Sequence, residues 1–312
     1  MALSSETQWS RRRLQTADAD VGVDTFEQRP GPDGPAVVVL AGVHGDEPTG
    51  TAAALSLLHQ PPRLTRGSLT VAPVCNEAAW AVATREHPDD GANLARQFPG
   101  RQDGTPSEQL AHLLTTKLIA RADVLVDLHT ASRRNDMAFL AGCYAGPCPL
   151  GRESERLARA FGADYMWLHP TMGRGRTLSA AFDLGVPGIY AESPGGGRVH
   201  ERYVTAYRGG VEGVCCELGL MDGSPGGGRP ATVLRGDGDL DMGGARAPTS
   251  GIFRRAVAVE ARVDAGERLG DLWPLDGGPQ VPVAASQAGT VVLLARDSGL
   301  AEGDLAAFVA GA

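Results

Sequence analysis

The sequence lacks any apolar run approaching the roughly 18 residues that a membrane-spanning helix requires. Its first 24 residues are polar and include Arg11, Arg12 and Arg13, where a secretory signal would have an apolar stretch. We therefore expect a cytoplasmic protein without a membrane partner. Cysteine is also scarce, and five cysteines, an odd number, in 312 residues do not indicate a disulfide framework.

Basic residues are also fewer than acidic ones, 29 against 37. The formal net charge is -8 and the pI is near 5.4, which excludes a nucleic-acid partner because such a protein needs a basic face. Lys117 is the only lysine. The glycine-rich stretch around His44 has neither the Gly-Lys-Ser/Thr of a Walker loop nor the G-x-G-x-x-G of a dinucleotide site, so a nucleotide-binding role is poorly supported.

The order of apolar segments predicts an α/β fold, in which helices flank a mostly parallel or mixed sheet. At 312 residues we expect one large domain with a smaller companion. Strands are predicted at about 36–42, 69–74, 123–128, 137–141 and 187–192. Helices are predicted near 49–59, 106–121, 151–161, 177–184 and 199–220.

The composition changes after this alternating region. Residues 223–249 are rich in Gly, Pro and Asp, and the short β-like runs 251–259, 266–273, 280–284 and 289–295 follow them. We therefore predict four segments. They are a polar N-terminal segment (1–35), a large α/β domain (36–222), a linker (223–249) and a small all-β domain (250–312).

Two histidines and a glutamate lie next to predicted strand ends. His44 and Glu47 follow the apolar run 36–40, and His129 follows the apolar run that ends near Asp127. In open α/β sheets, ligands bind at the carboxyl ends of the strands. A lone histidine at a strand end is more often structural, but the three residues together predict a zinc site with one ion per chain. Three protein ligands leave the fourth tetrahedral position open for water, as in catalytic zinc sites.

Glu192 is the candidate for proton transfer. It ends the apolar run 188–191 and precedes a Ser-Pro-Gly-Gly-Gly turn, so it would lie at a strand end beside an open loop. A buried carboxyl group there would have its pKa raised towards neutral, as a general base and acid requires. The alternative is a solvated or helix-capping carboxylate.

The 85–100 segment is predicted to be a long irregular loop that contains Arg85 and Arg96. Long loops within compact domains are usually functional, and a guanidinium can bind a carboxylate or stabilise an oxyanion. Since arginine is abundant in this chain, composition alone favours surface positions for both residues. For Arg174 and Arg176, a substrate contact and a surface position both stay open.

The strand-end motifs, the 93–100 loop and Glu192 with its glycine turn, in this order and spacing, resemble the succinylglutamate desuccinylase/aspartoacylase family of zinc carboxypeptidase-like hydrolases. The resemblance covers about residues 36–312 and implies that residues 36–222 are a zinc hydrolase catalytic domain. It implies that His44, Glu47 and His129 bind zinc and that Glu192 is the general base and acid. It also implies that Arg85 polarises the scissile carbonyl and that Arg96 holds the substrate carboxylate.

One position departs from the family pattern, because Ala95 stands before Arg96 where the family usually has Asn. Asn93 is the candidate to compensate as a substrate-binding residue. The loop is most similar to the bacterial branch that removes N-acyl groups from amino acids, such as ectoine-pathway deacetylases.

The predicted function is therefore a zinc-dependent amidohydrolase that removes an acetyl- or succinyl-type group from a small amino acid or a related carboxylate-bearing amine. The alternatives are a small-peptide zinc carboxypeptidase and a noncatalytic metal-binding interaction protein. A homo-oligomer is compatible with the sequence.

Overall fold

A computed structural model describes residues 9–16, 21–224, 232–241, 243–296 and 298–311 of the protein, and it confirms the predicted α/β class. The first ten strands are β1 (Ser10–Gln15), β2 (Gly22–Gln28), β3 (Ala36–Ala41), β4 (Ser68–Ala72), β5 (Val124–Leu128), β6 (Asn135–Met137), β7 (Leu140–Tyr144), β8 (Tyr165–His169), β9 (Gly188–Glu192) and β10 (Thr232–Arg235). The helices are α1 (Pro48–His59), α2 (Glu77–Val82), α3 (Pro106–Lys117), α4 (Pro149–Phe161), α5 (Thr177–Asp183) and α6 (Glu201–Glu217).

Nine of these strands form one mixed sheet in the order β1-β2-β4-β3-β5-β9-β7-β8-β10. The central strands β4, β3, β5 and β9 run parallel, whereas β7 pairs antiparallel with β9. The carboxyl ends of β3, β5 and β9 therefore lie side by side at one edge of the sheet. The segments that follow these three strands meet there.

The sheet is buried on both faces, which explains the unbroken apolar run of β3. Val37 and Val39 pack towards α1, α4 and α6, while Val38 and Leu40 pack towards α3 and α5. Successive side chains of a strand point to opposite faces, so both sets must be apolar when helices cover both sides. All four side chains have at most 4% of their surface exposed.

Local signals determine where the helices begin and end. Helix α3 begins with Pro106 after a capping box, in which Thr105 and Glu108 bond to each other's backbone N–H groups. Helix α4 ends at Gly162, whose φ of 75° is in the left-handed region that favours glycine. These ends lie within about two residues of the predicted ends, which is the usual scatter.

Several elements were not predicted. Strands β1 and β2 lie in the predicted polar N-terminal segment, and α2 and β8 lie in stretches that were not assigned. In β1 only Leu14 is buried, so an edge strand with three exposed arginines has almost no apolar alternation. The strand predicted at 137–141 is divided into β6 and β7, which join different sheets.

The C-terminal region consists of two antiparallel sheets, in agreement with the predicted all-β character. Its strands are β11 (Ala245–Arg246), β12 (Gly251–Arg255), β13 (Arg262–Val263), β14 (Arg268–Pro274), β15 (Val281–Ala284), β16 (Gly289–Ala295), β17 (Ser298–Leu300) and β18 (Leu305–Ala310). Strand β6 pairs with β16, and Asp136 of β6 accepts hydrogen bonds from Arg255 and Arg296. This region is therefore tied directly to the larger part of the chain.

The stretch predicted as a linker contains β10, which extends the nine-stranded sheet, and β11, which belongs to a C-terminal sheet. The four-segment division of the chain stays a prediction. Among the described residues, no helix is both long and apolar enough to cross a membrane.

Candidate active site

Two glycines shape the loop between β3 and α1. Gly42 has a φ of 61°, a left-handed conformation that lets the chain turn sharply after the strand. A Cβ on Gly45 would overlap the Ala79 carbonyl, so this glycine permits close packing on α2. The glycines that suggested a phosphate loop thus serve the turn that brings His44 and Glu47 to the sheet edge.

The structure brings His44, Glu47 and His129 together, as the sequence predicts. His44 Nδ1 lies 2.6 Å from Glu47 Oε1, and His129 Nδ1 lies 3.0 Å from Glu47 Oε2. One donor atom from each residue lies within 4.8 Å of the other two. We call these three residues the His-Glu-His group. Two imidazoles and one carboxylate in this arrangement could hold a metal ion.

Hydrogen bonds behind the group orient its rings. Asp127 Oδ2 lies 3.0 Å from His129 Nε2 and also accepts a bond from the Thr177 hydroxyl. Because an ionised carboxylate only accepts, each ring nitrogen of His129 donates to its carboxylate partner, Nε2 to Asp127 and Nδ1 to Glu47. A carboxylate behind a histidine in this way is the usual support of a metal-ligating imidazole.

Asn93 has the corresponding position behind His44. Its Oδ1 lies 3.0 Å from His44 Nε2 and accepts a second bond from the Ala95 backbone N–H. Asn93 is not among the described side chains that line the adjacent cavity. This placement favours a role in orienting His44 over the predicted contact with substrate.

The residues of the group shift one another's pKa values. Burial would raise the pKa of Glu47, but the two histidines outweigh it and hold that pKa well below its usual value. For His129, burial lowers the pKa, but Asp127 and Glu47 outweigh burial and raise it above 6.5. Burial, with the positive charge of Arg85 second, lowers the pKa of His44. The group therefore combines an ionised carboxylate with rings that differ in basicity.

Arg85 reaches the group from the loop after α2. Its guanidinium donates to Glu47 Oε1 at 2.9 Å and lies 3.2 Å from His44 Nδ1. About a third of the side chain is exposed, whereas Glu47 is buried. Arg85 therefore places a positive charge on the cavity side of the predicted metal ligands, not on the protein surface.

Glu192 ends β9 beside the His-Glu-His group. Its Oε2 is buried and has no hydrogen-bond partner among the described residues. Burial, followed by the nearby Glu47 carboxylate, raises the pKa of Glu192 to about 8. The burial of Oε2 disfavours a solvated carboxylate, and the missing backbone N–H partner disfavours a helix cap.

These side chains open onto one cavity of about 150 Å³. Arg96 and Arg176 lie on its other wall, where Arg96 Nε donates to Asp241 at 2.5 Å and Arg176 donates to Asp239 at 3.2 Å. Residues 237–240 of the predicted linker also line the cavity. The sequence did not predict this contribution. Arg174, by contrast, is 92% exposed and lies outside the cavity lining.

The succinylglutamate desuccinylase/aspartoacylase catalytic domain matches residues 33–218 of this chain. The chain belongs to this family, as the sequence motifs predict.

Named relatives agree with this assignment. The N-alpha-acetyl-L-2,4-diaminobutyric acid deacetylase of Halomonas elongata is 30% identical over 199 residues, which span 61% of this chain and only 57% of that protein. A succinylglutamate desuccinylase/aspartoacylase structure from Rhodobacter sphaeroides is 26% identical, with a TM-score of 0.85 over 97% of this chain and 95% of that one. The product-bound ectoine utilization protein EutE (DoeB) of Ruegeria pomeroyi is 25% identical, with a TM-score of 0.86 over 97% and 94%.

Proposed function

We propose that this protein is a zinc-dependent amidohydrolase that removes an N-acyl group, of acetyl or succinyl type, from a small amino acid or a related carboxylate-bearing amine. The observation that carries the proposal is the buried, unpartnered carboxyl group of Glu192 next to the His-Glu-His group. A metal-binding interaction protein would have no use for this carboxyl group. Family membership and the deacylase names of the relatives support the same reaction class.

The residues present fit zinc. Nitrogen and carboxylate donors in a three-residue set match a catalytic zinc site, and Asp127 supports His129 from behind. His44, Glu47 and His129 would hold one ion per chain. When bound, zinc supplies a Lewis acid that polarises a carbonyl group and acidifies water.

Glu192 would move the proton. Because the pKa of Glu192 is raised to about 8, its protonated form is stable near neutral pH and can deliver a proton to the leaving nitrogen, and its ionised form would take that proton from water. Arg85 contacts Glu47 and lines the cavity, and its guanidinium would hold the acyl carbonyl oxygen and stabilise negative charge that develops there.

Arg96 would hold the substrate carboxylate, because its planar guanidinium matches a carboxylate in shape and charge. In the structure it already binds a carboxylate, that of Asp241, on the cavity wall. Arg176 lies on the same wall and pairs with Asp239. We propose that Arg176 also contacts the substrate, whereas Arg174, which does not line the cavity, does not.

A substrate screen tests the proposal. The purified, zinc-loaded protein is incubated with N-acetyl, N-succinyl and N-formyl amino acids and with dipeptides, and release of free amine is followed. We expect cleavage of N-acyl amino acids. Cleavage of dipeptides alone would favour the carboxypeptidase, and zinc binding without any amine release would favour the noncatalytic protein. The cytoplasmic location stays a prediction from the sequence.

A further inference from the structure

Residues 87–92 form a compact turn between Arg85 and Asn93. Its first and last residues are joined by a backbone hydrogen bond, in which the His87 N–H donates to the Ala92 carbonyl oxygen at 2.9 Å. The Pro-Asp-Asp-Gly sequence within this stretch is typical of a turn. We call it the 87–92 turn. Because its ends are held together, the residues that flank it lie close to each other.

The two flanking residues contact opposite nitrogens of one imidazole ring. The Arg85 guanidinium lies 3.2 Å from His44 Nδ1, and Asn93 Oδ1 lies 3.0 Å from His44 Nε2. Arg85 also donates to Glu47 at 2.9 Å. The 87–92 turn joins both contacts through the backbone, so a change in its conformation would displace both of them together.

Asp90 ties the 87–92 turn to helix α3. Its Oδ2 accepts the Ser107 backbone N–H at 2.8 Å, and its Oδ1 accepts the Ser107 hydroxyl at 2.9 Å and the Ala92 backbone N–H at 3.0 Å. Burial alone would raise the pKa of Asp90, but hydrogen bonds from Ser107 and Ala92 outweigh burial and hold this pKa below its usual value. An ionised carboxylate thus joins the turn to a helix N-terminus, where backbone N–H groups favour negative charge.

Helix α3 does not depend on Asp90 for its beginning. Thr105 and Glu108 form a capping box there, and Pro106 has no N–H group that needs an acceptor. Among the described residues, Asp90 is the only member of the 87–92 turn whose side chain bonds to another element. The bonds of Asp90 to α3 therefore serve the turn more than the helix.

We propose that Asp90 is a positioning residue that holds the 87–92 turn against α3. Arg85 and Asn93 thereby stay on opposite ring nitrogens of His44. Asp90 is not among the described residues that line the cavity, so it acts through these two side chains. Through Asn93 it would orient a proposed zinc ligand, and through Arg85 it would place the proposed partner of the acyl carbonyl. Its effect on catalysis rests on the proposed function.

Zinc affinity tests the connection through Asn93. Asp90→Ala should weaken zinc binding by roughly tenfold or more, as for other groups that orient a metal-ligating histidine, and competition with a chelator measures this. Asn93→Ala should weaken it at least as much. Adding Asp90→Ala to Asn93→Ala should then change little, because the side chain that Asp90 positions is already absent. Asp89→Ala is the matched control, since Asp89 is 72% exposed whereas Asp90 is 10% exposed.

Steady-state kinetics at saturating zinc tests the connection through Arg85. Asp90→Ala should reduce kcat for an N-acyl amino acid by roughly tenfold or more, because a displaced guanidinium no longer meets the reacting carbonyl. In the Arg85→Ala background, the same substitution should cause little further loss. Asp90→Asn retains Oδ1 as an acceptor and should recover part of the activity. A merely structural carboxylate would reduce kcat by the same factor in both backgrounds.

The His44 ring provides a measurement that needs neither zinc nor turnover. In the metal-free protein, its NMR resonances are assigned by their absence in His44→Ala. They should shift in Asp90→Ala and in Asn93→Ala, because both substitutions disturb the contact at Nε2. They should stay in place in Asp89→Ala.

Unchanged His44 resonances in Asp90→Ala would overturn the inference. So would an effect of Asp90→Ala that is equally large with and without Arg85 and Asn93. Failure of the proposed function is distinguishable from both outcomes. A wild-type protein that cleaves no N-acyl compound would count against the deacylase, while the His44 resonances would still decide the role of Asp90. Cleavage and zinc affinity that Asp90→Ala leaves unchanged would count against Asp90 alone.

Discussion

The two walls of the cavity differ in how they are built. The reactive wall consists of His44, His129 and Glu192, together with Glu47, which is buried against both histidines; these residues follow or end three adjacent strands of the sheet. The recognition wall consists of Arg96, Arg176 and residues 237–240, with Asp241 bonded to Arg96, and these residues come from loops far apart in sequence. The proposed chemistry would thus take place at rigid strand ends, and the proposed substrate recognition on loops that can vary without disturbing the sheet.

The walls also differ in how their charges are partnered. On the reactive wall, Oε2 of Glu192 is buried without a hydrogen-bond partner in the described part of the chain, whereas on the recognition wall Arg96 and Arg176 are each paired with an aspartate. An unpartnered buried carboxyl group is costly and indicates a functional requirement. Partly exposed ion pairs cost little and exchange easily. Substitutions on the reactive wall should therefore act on metal binding and turnover, whereas substitutions on the recognition wall should act on the use of a carboxylate-bearing substrate.

The largest effect is expected within the His-Glu-His group. Removing one of three ligands should abolish metal binding, so His129→Ala should lose both zinc and activity, while the wild-type chain holds about one zinc. Elemental analysis of the dialysed proteins measures this. His112→Ala is a matched control, since His112 lies on α3 outside the group. Full zinc retention in both His44→Ala and His129→Ala would remove the proposed site.

Glu192→Gln should have the next largest effect and should separate catalysis from metal binding. The amide has the same shape but cannot transfer the proton, so turnover should fall by roughly a hundredfold or more while zinc content and melting temperature are retained. Steady-state kinetics and metal analysis of the same sample check both parts. Wild-type turnover would defeat the assignment, whereas zinc loss would make Glu192 a ligand.

On the recognition wall, Arg96→Ala should reduce kcat/KM for a carboxylate-bearing substrate, by roughly 2–5 kcal/mol if the carboxylate and Arg96 are desolvated partners. Amidating the carboxylate should have a similar effect. Because amidation already removes the contact between the carboxylate and Arg96, Arg96→Ala should cause almost no further loss of kcat/KM with the amidated substrate. Fully additive losses would show that Arg96 recognises another group and would direct attention to Arg176.

The smallest effect is expected at Asp241. Its carboxylate holds Arg96 in the structure, and Arg96 in turn lowers the pKa of Asp241, so the two are paired at neutral pH. A substrate carboxylate must compete with this pair. Since the pair is partly exposed, Asp241→Asn should lower KM by only about two- to fivefold, with kcat unchanged. Asp276→Asn is the control, since Asp276 is not among the described residues that line the cavity. An increase in KM would mean that Asp241 itself contacts the substrate.

Sequence patterns predict the reactive wall well because it depends on local signals. An unbroken apolar run indicates a strand buried on both faces, and the residues after such strands lie at one edge of a parallel sheet. His44, Glu47, His129 and Glu192 were found in this way. Asn93 was predicted to bind substrate, and its hydrogen bond to His44 could not be predicted, because a loop conformation decides it.

The sequence by itself determined the α/β class, the candidate metal ligands and the candidate proton carrier, because strand periodicity and chain order are sufficient to bring strand ends together. Only the tertiary structure decided the recognition wall. Arg96 and Asp241 are 145 residues apart, and their pairing requires β10 to join the sheet beside β8 and carry the 237–241 segment over the cavity. A local sequence pattern cannot predict this contact, because the contact depends on the order of strands at the sheet edge and on the face of the sheet that a loop crosses.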